Sequence, residues 1–239
     1  MLKKVFIGVG HGGSDPGACA NGLKEKDLNL TIALFCKSEL ERHGVTVGIS
    51  RTKDENDPID QEVRECNSFN PDLALDIHNN AGGGDGAEVF HYSGGGTSKT
   101  LAQNILNEIV AIGQNSRGIK TKKGANGKDY YAFIRDTKAP AVIVECAFVD
   151  NKTDIAVIDT AAEQMAMGIA IAKGVLKTLG VAYKTQTTVT AATEATATNT
   201  ATNGKLYRVQ VGAYSSKANA EAMQKKLKAA GYSAIIVQS

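Results

Sequence analysis

The sequence predicts an α/β fold: a mostly parallel twisted sheet with helices on both faces, followed by a small βαβ unit at the C-terminus. Three observations predict it. Strand-like and helix-like segments alternate from the first residues to about position 182. The strand-like runs are apolar almost without a break, as strands covered on both faces are. After residue 183 the composition turns abruptly to Thr and Ala, then back to an apolar pattern, which sets a tail apart from the main body.

The elements follow in order. "KKVFIGV" is the first strand, and a loop crowded with glycine follows it. Pro16, Gly17, Asn21 and Gly22 break helix, so the first helix begins only near Glu25. That helix carries Leu28, Ile32, Phe35, Cys36 and Leu40 on one face and stops at Gly44, a good residue for the left-handed turn after a helix. "VTVGISR", "DLALDIH", "AEVFHY" and "PAVIVECAFV" read as further strands. "SKTLAQNILNEIVAIG" and "AAEQMAMGIAIAKGVLKTLG" read as amphipathic helices.

Residues 1–183 form the expected main domain. Residues 184–204, "KTQTTVTAATEATATNTATNG", show no apolar period and read as a disordered linker. In residues 205–239, Tyr207, Val209, Val211 and Ala213 alternate as a strand. A Ser215/Ser216 cap then opens a helix with Ala222, Met223, Leu227 and Ala230 inward, and "AIIV" closes the unit. Such a βαβ piece of about 35 residues is too small to hold a core alone.

The 239 residues carry a formal net charge of +2, which argues against nucleic acid as the main partner. The charge is uneven. Residues 1–183 hold 20 Lys/Arg against 23 Asp/Glu, a net of −3, whereas residues 205–239 hold 6 against 1, a net of +5. No apolar run approaches a membrane span, and the start "MLKKVFIGVG" reads as a mature N-terminus rather than a signal peptide. The four cysteines make no C-x-x-C pair and are expected to be free thiols of a chain made in the cytoplasm.

Gly8, Gly10 and Gly13 fit G-x-G-x-x-G, a loop that holds a dinucleotide pyrophosphate when a helix starts directly after it. Here no helix starts there, and no acid ends a second strand about 20 residues on. A metal reading is the alternative. His11 follows the first strand, His78 ends "DLALDIH", and Glu145 closes "PAVIVE". The carboxyl ends of parallel strands share one edge, so these groups converge, and Glu25 borders that edge. Two imidazoles and a carboxylate suit a catalytic zinc ion, and a further carboxylate suits the base that its water needs. Spacing alone does not assign the roles, because Asp27 shares the first helical turn with Glu25 and a carboxylate there also suits the helix dipole.

Several stretches together, "GHGGSDPGA", "NGLKEKDLNLTIA", "SRTKDEN", "DLALDIHNNAGGG", "GAEVFHY", "SRGIK" and "PAVIVECAFVDN", resemble the zinc-dependent N-acetylmuramoyl-L-alanine amidases of the amidase-3 family from residue 4 to about 180. The resemblance implies hydrolysis of the amide between N-acetylmuramic acid and L-alanine in peptidoglycan. It implies His11, Glu25 and His78 as ligands of Zn²⁺ and Glu145 as the catalytic carboxylate. Two departures stand out: Cys146 follows Glu145 where glycine is common, and "NPDLALDIH" is unusual where a more apolar or serine-containing strand is common. The tail resembles one half of a SPOR peptidoglycan-binding domain, whose fold joins two such halves.

Expectations for the rest follow. His43 fits a helix C-terminus, and His91 is expected to face solvent from its strand. The glycine run at 82–86 reads as a loose turn, and Lys120, Lys122 and Lys123 as a solvated face. Cys146 raises the alternative of a cysteine hydrolase, and a non-catalytic wall-binding protein is the other rival. The expected partner is peptidoglycan, with neither nucleic acid nor membrane. The half unit is expected to pair with a second copy as a homodimer, the competing expectation being a tail unfolded until it meets glycan. The enzyme would reach the wall after release, first as a phage endolysin, alternatively as an autolysin freed at mother-cell lysis.

Overall fold

The computed structural model describes residues 2–185, together with eight isolated positions between 217 and 236. The expected linker at 184–204 and unit at 205–239 therefore lie almost wholly outside the described residues. The chain divides into a compact unit Met1–Tyr183 and a second unit Lys184–Ser239.

The first unit is built on a six-stranded sheet. Its strands are β1 (Lys4–Val9), β4 (Thr46–Ile49), β5 (Leu73–Asn80), β6 (Ala87–His91), β7 (Ser116–Lys120) and β8 (Ala141–Phe148), in the order β4-β1-β5-β8-β6-β7. β4, β1, β5 and β8 run parallel, as their apolar sequences predict. β6 pairs antiparallel with β8, and β7 follows β6 in parallel. The reversal has a simple cause. Only residues 81–86 join β5 to β6, and a parallel return needs a crossover of a dozen or more residues.

Helices α1 (Glu25–Arg42), α3 (Thr97–Ala111) and α5 (Ala161–Leu179) cover one face, over a core that includes Val5, Ile7, Leu75, Ile77 and Val144. Helices α2 (Ile59–Phe69) and α4 (Ala132–Asp136) cover part of the other, over Phe6, Ala74, Phe90 and Ile143. α5 starts in a full capping box, Thr160 with Glu163, and ends at Gly180 with φ 69°. Its glycines let the neighbouring helices in: a Cβ at Gly168 would lie 2.6 Å from the Ile32 carbonyl, and one at Gly174 2.5 Å from Ile105 Cα.

The start of α1 is set by a two-residue turn. β2 (Cys19–Ala20) and β3 (Leu23–Lys24) form a minimal hairpin around Asn21 and Gly22, whose φ values are 50° and 77°. Asn-Gly is the residue pair that such a turn favours, and it delivers the chain to the helix with Glu25 as its first residue. No helix among the described residues is long and apolar enough to cross a membrane.

Candidate metal centre and active site

His11 sits directly after β1 with φ 63°, a left-handed conformation that non-glycine residues rarely hold. The loop around it is tied down from behind. Arg51, 2% exposed, donates from Nε to the Val9 carbonyl at 3.1 Å and from Nη2 to the Lys26 carbonyl at 2.8 Å. Lys26 reaches back to the Gly13 carbonyl at 2.9 Å and to Asp54 at 2.7 Å. The backbone turn thus aims the His11 ring at the first residue of α1.

Glu25 is the centre of the cluster. Its Oε2 lies 3.2 Å from His11 Nε2, and its Oε1 lies 3.0 Å from His78 Nδ1. The Ala18 N–H donates to Oε2 at 2.9 Å and the Asn79 N–H to Oε1 at 3.1 Å. Burial alone would raise this carboxyl, but hydrogen bonds from His11 and His78 outweigh it and hold Glu25 well below the usual carboxylate range. Burial likewise opposes protonation of His78, yet Asp76 and Glu25 raise its imidazole well above the ordinary value. One carboxylate thus holds both imidazoles close to it. Asp27 is exposed and takes no part.

The set fits a zinc ion. One donor atom from each of His11, Glu25 and His78 lies within 4.8 Å of the others. Metal–ligand bonds of about 2.0–2.2 Å in a tetrahedron separate ligand atoms by roughly 3.4 Å, and here the two imidazoles lie 3.2 and 3.0 Å from the two different oxygens of the Glu25 carboxylate. The backbone is pared away to allow it: a Cβ on Gly10 would lie 2.1 Å from the His78 ring, and one on Gly17 2.6 Å from Glu25 Oε2.

Glu145 lies on β8 in direct register with His78 on β5 and opposite Glu88 on β6. Side chains so paired share a face, so its carboxyl stands beside the cluster. Burial pushes its pKa up to about 7, against a lowering influence from His78. A cavity of about 600 Å³ opens over His11 and His78, lined also by Asp57, Glu62, Asp76 and Tyr131. All four sequence-predicted site residues are thus brought to one edge, as expected from the strand ends.

Other expectations fare differently. His91 is buried at 7% exposure, with Nδ1 2.8 Å from the Tyr92 carbonyl, because it shares a face of β6 with Ala87 and Val89, which pack into the helix-covered core. The turn at 82–86 is anchored, not loose: Asp150 Oδ2 accepts from the Gly82 and Gly83 N–H groups at 2.8 Å each. Lys120 joins Arg117 on the buried Glu88, whereas Lys122 and Lys123 are exposed as expected, Lys122 lying 4.1 Å over the Tyr130 ring. His43 caps α1, with Nδ1 2.8 Å from the Glu39 carbonyl. The four cysteines are free, and burial raises the Cys146 thiol well above its ordinary value, which removes it as a nucleophile.

The sequence reading missed Asp76, Glu62 and Tyr131. Asp76 had left a signal, an acid inside an apolar strand two residues before His78 and hence on the same face. Glu62 and Tyr131 left none, since nothing in the sequence aims an acid of α2 or a ring beside the unanticipated α4 at this cavity.

Comparison with known proteins bears on this geometry. A family model described as N-acetylmuramoyl-L-alanine amidase matches residues 5–177, and one described as SPOR domain matches residues 174–238. The chain is 38% identical over 240 residues to the N-acetylmuramoyl-L-alanine amidase CwlM of Bacillus licheniformis, covering 99% of this chain and 85% of that one. It is 36% identical over 180 residues to an endolysin of Bacillus phage SPP1, covering 71% and 66%. The catalytic domain of the amidase CwlV from Bacillus (Paenibacillus) polymyxa var. colistinus superposes with a TM-score of 0.68 at 27% identity, over 76% of this chain and 100% of that domain.

Proposed function

Because the chain belongs to the amidase-3 family of N-acetylmuramoyl-L-alanine amidases, we propose that His11, Glu25 and His78 hold zinc and that Glu145 is the general base and acid of the reaction. The protein is a peptidoglycan hydrolase, cleaving the amide between N-acetylmuramic acid and L-alanine. The observation that carries the assignment is the convergence of three donor side chains on one spot, with a fourth carboxyl in register on the next strand.

A zinc ion held there supplies Lewis acidity that polarises the scissile carbonyl and activates water near neutral pH. The remaining work belongs to the chain. Glu145 takes a proton from the attacking water and passes it to the departing alanine nitrogen. A carboxyl poised near neutrality suits both halves of that transfer. His11 and Glu25 are fixed by Arg51, Lys26 and the Ala18 N–H, so the site is preorganised by backbone contacts. Action on the wall after release from the producing cell, with the SPOR segment as wall anchor, completes the proposal.

The test is metal dependence with a product readout. Chelation is expected to abolish release of amino groups from purified sacculi, and added zinc to restore it, while His78→Ala lowers zinc content sharply. Full activity in a metal-free preparation contradicts the assignment.

A further inference from the structure

Two buried carboxyls line the cavity beside the proposed metal site and take no part in the reaction as described. Asp76, 2% exposed, places Oδ2 3.1 Å from His78 Nε2. The other ring nitrogen, Nδ1, is the one that faces Glu25. Asp76 therefore touches His78 only on the side turned away from the cluster. Its second oxygen, Oδ1, makes no hydrogen bond in the structure, and neither does Oε1 of Glu62, also 2% exposed. Both oxygens approach the bare backbone of Gly8: a Cβ there would lie 1.9 Å from Glu62 Oε1 and 2.9 Å from Asp76 Oδ1. A glycine inside a central strand weakens the strand, so its presence marks a close approach that the fold requires. β1 and β5 pair with Gly8 opposite Asp76, so this glycine makes room for that acid.

We infer that Asp76 is a positioning residue for the metal, acting through His78. Resting on the zinc reading above, the inference names the ring nitrogen that serves. An imidazole has one lone pair to give a metal, and the hydrogen bond made by its other nitrogen decides which one. Asp76 accepts from Nε2–H, which leaves the Nδ1 lone pair facing Glu25 and His11. The same contact fixes the ring plane and makes Nδ1 a better donor. His11 has an analogous partner, Asp15 Oδ2 at 2.8 Å from Nδ1, but the Asp15 side chain is 66% exposed. In water that contact is worth far less. The two histidines are therefore supported unequally, and His78 is the one whose support is buried.

The experiment measures zinc affinity and ring chemistry, not turnover. Competition with a chromogenic chelator is expected to show zinc binding by Asp76→Asn or Asp76→Ser weakened about 10–100-fold. Asp15→Asn is expected to stay within about threefold of the parent. Circular dichroism and thermal unfolding establish that each variant is folded, and the parent alone supplies a second readout. In ¹⁵N-histidine spectra of the zinc-loaded parent, His78 is expected to carry its proton on Nε2. A parent with the His78 proton on Nδ1, or folded Asp76 variants that bind zinc within twofold of the parent, overturns the inference. A parent that takes up no zinc overturns the metal reading, and this inference with it.

Discussion

Glu145 shows what a single position on a strand can be asked to do. It stands in an apolar strand, and burial lifts its pKa to about 7 from the ordinary 4.5. A carboxyl raised on folding stabilises the protein below about pH 4.5, and that stability is lost as pH rises through about 7. In metal-free protein, Glu145→Gln removes the charge and with it this pH dependence. Relative to the parent, the variant is expected to gain up to about 3 kcal/mol between pH 5 and pH 8, read from urea midpoints at the two pH values. Zinc content is expected to persist while turnover falls by about 10² or more, as loss of a general base implies. Loss of zinc from the variant would make Glu145 a ligand and reopen the place of Glu25. These residues were legible in the sequence for different reasons. His11, Glu25 and His78 are carried by motifs around them, and Glu145 by the cost of an acid ending a buried strand. Asp76 was visible only as an oddity, because its partner is a ring nitrogen whose direction no sequence pattern reports. The exposed placement expected for His91 failed for a related reason: burial depends on which helices cover that face of β6, and that is a property of the packed layers.

At the level of elements, periodicity exposed the helices with long apolar stripes and the strands with continuous ones. It did not expose the five-residue α4. It also could not tell that β6 runs against β8, since direction follows from the length of the 81–86 connection and from β8 entering later between β5 and β6. The packing of α5 was hidden in plain residues. "MGIAIAKG" reads as helix, yet its glycines mark where α1 and α3 come closest. Gly174→Ala should gain about 1 kcal/mol of helix propensity if the site were open. It is not open, because the new Cβ would lie 2.5 Å from backbone Ile105 Cα. Backbone cannot swing aside as a side-chain tip can, so overpacking wins. The expected outcome is a net loss of about 1–3 kcal/mol in the denaturation midpoint with zinc content unchanged. A stabilised Gly174→Ala protein would mean that the helices slide apart at little cost.

For the whole molecule the open matter is what residues 184–239 do for residues 1–183. The SPOR match begins at residue 174, inside α5, whose last turns Val175 and Leu176 are buried in the core of the first unit. Those residues belong to the first unit, and the second unit is Lys184–Ser239. Within it, one strand–helix–strand pattern is legible, and one such unit leaves a sheet face and a helix face uncovered. A second copy of the unit, related by a two-fold axis as in most homodimers, would supply a complementary surface. Charge works against the pairing, since each tail carries 6 Lys/Arg against 1 Glu from residue 205 onward. That repulsion is screened beyond about 8 Å at physiological salt, whereas apolar burial is not. Two catalytic bodies on one anchored base would also raise the local concentration of each on the wall. The expectation is therefore a salt-dependent dimer: at tens of micromolar, full-length protein sediments as a dimer at physiological salt and shifts toward monomer at low salt. A chain ending at Tyr183 is expected to sediment as a monomer at both salt concentrations and to keep its activity on soluble muropeptides. Monomeric full-length protein at both salt concentrations removes the pairing and leaves the tail to find its covering surface on glycan alone.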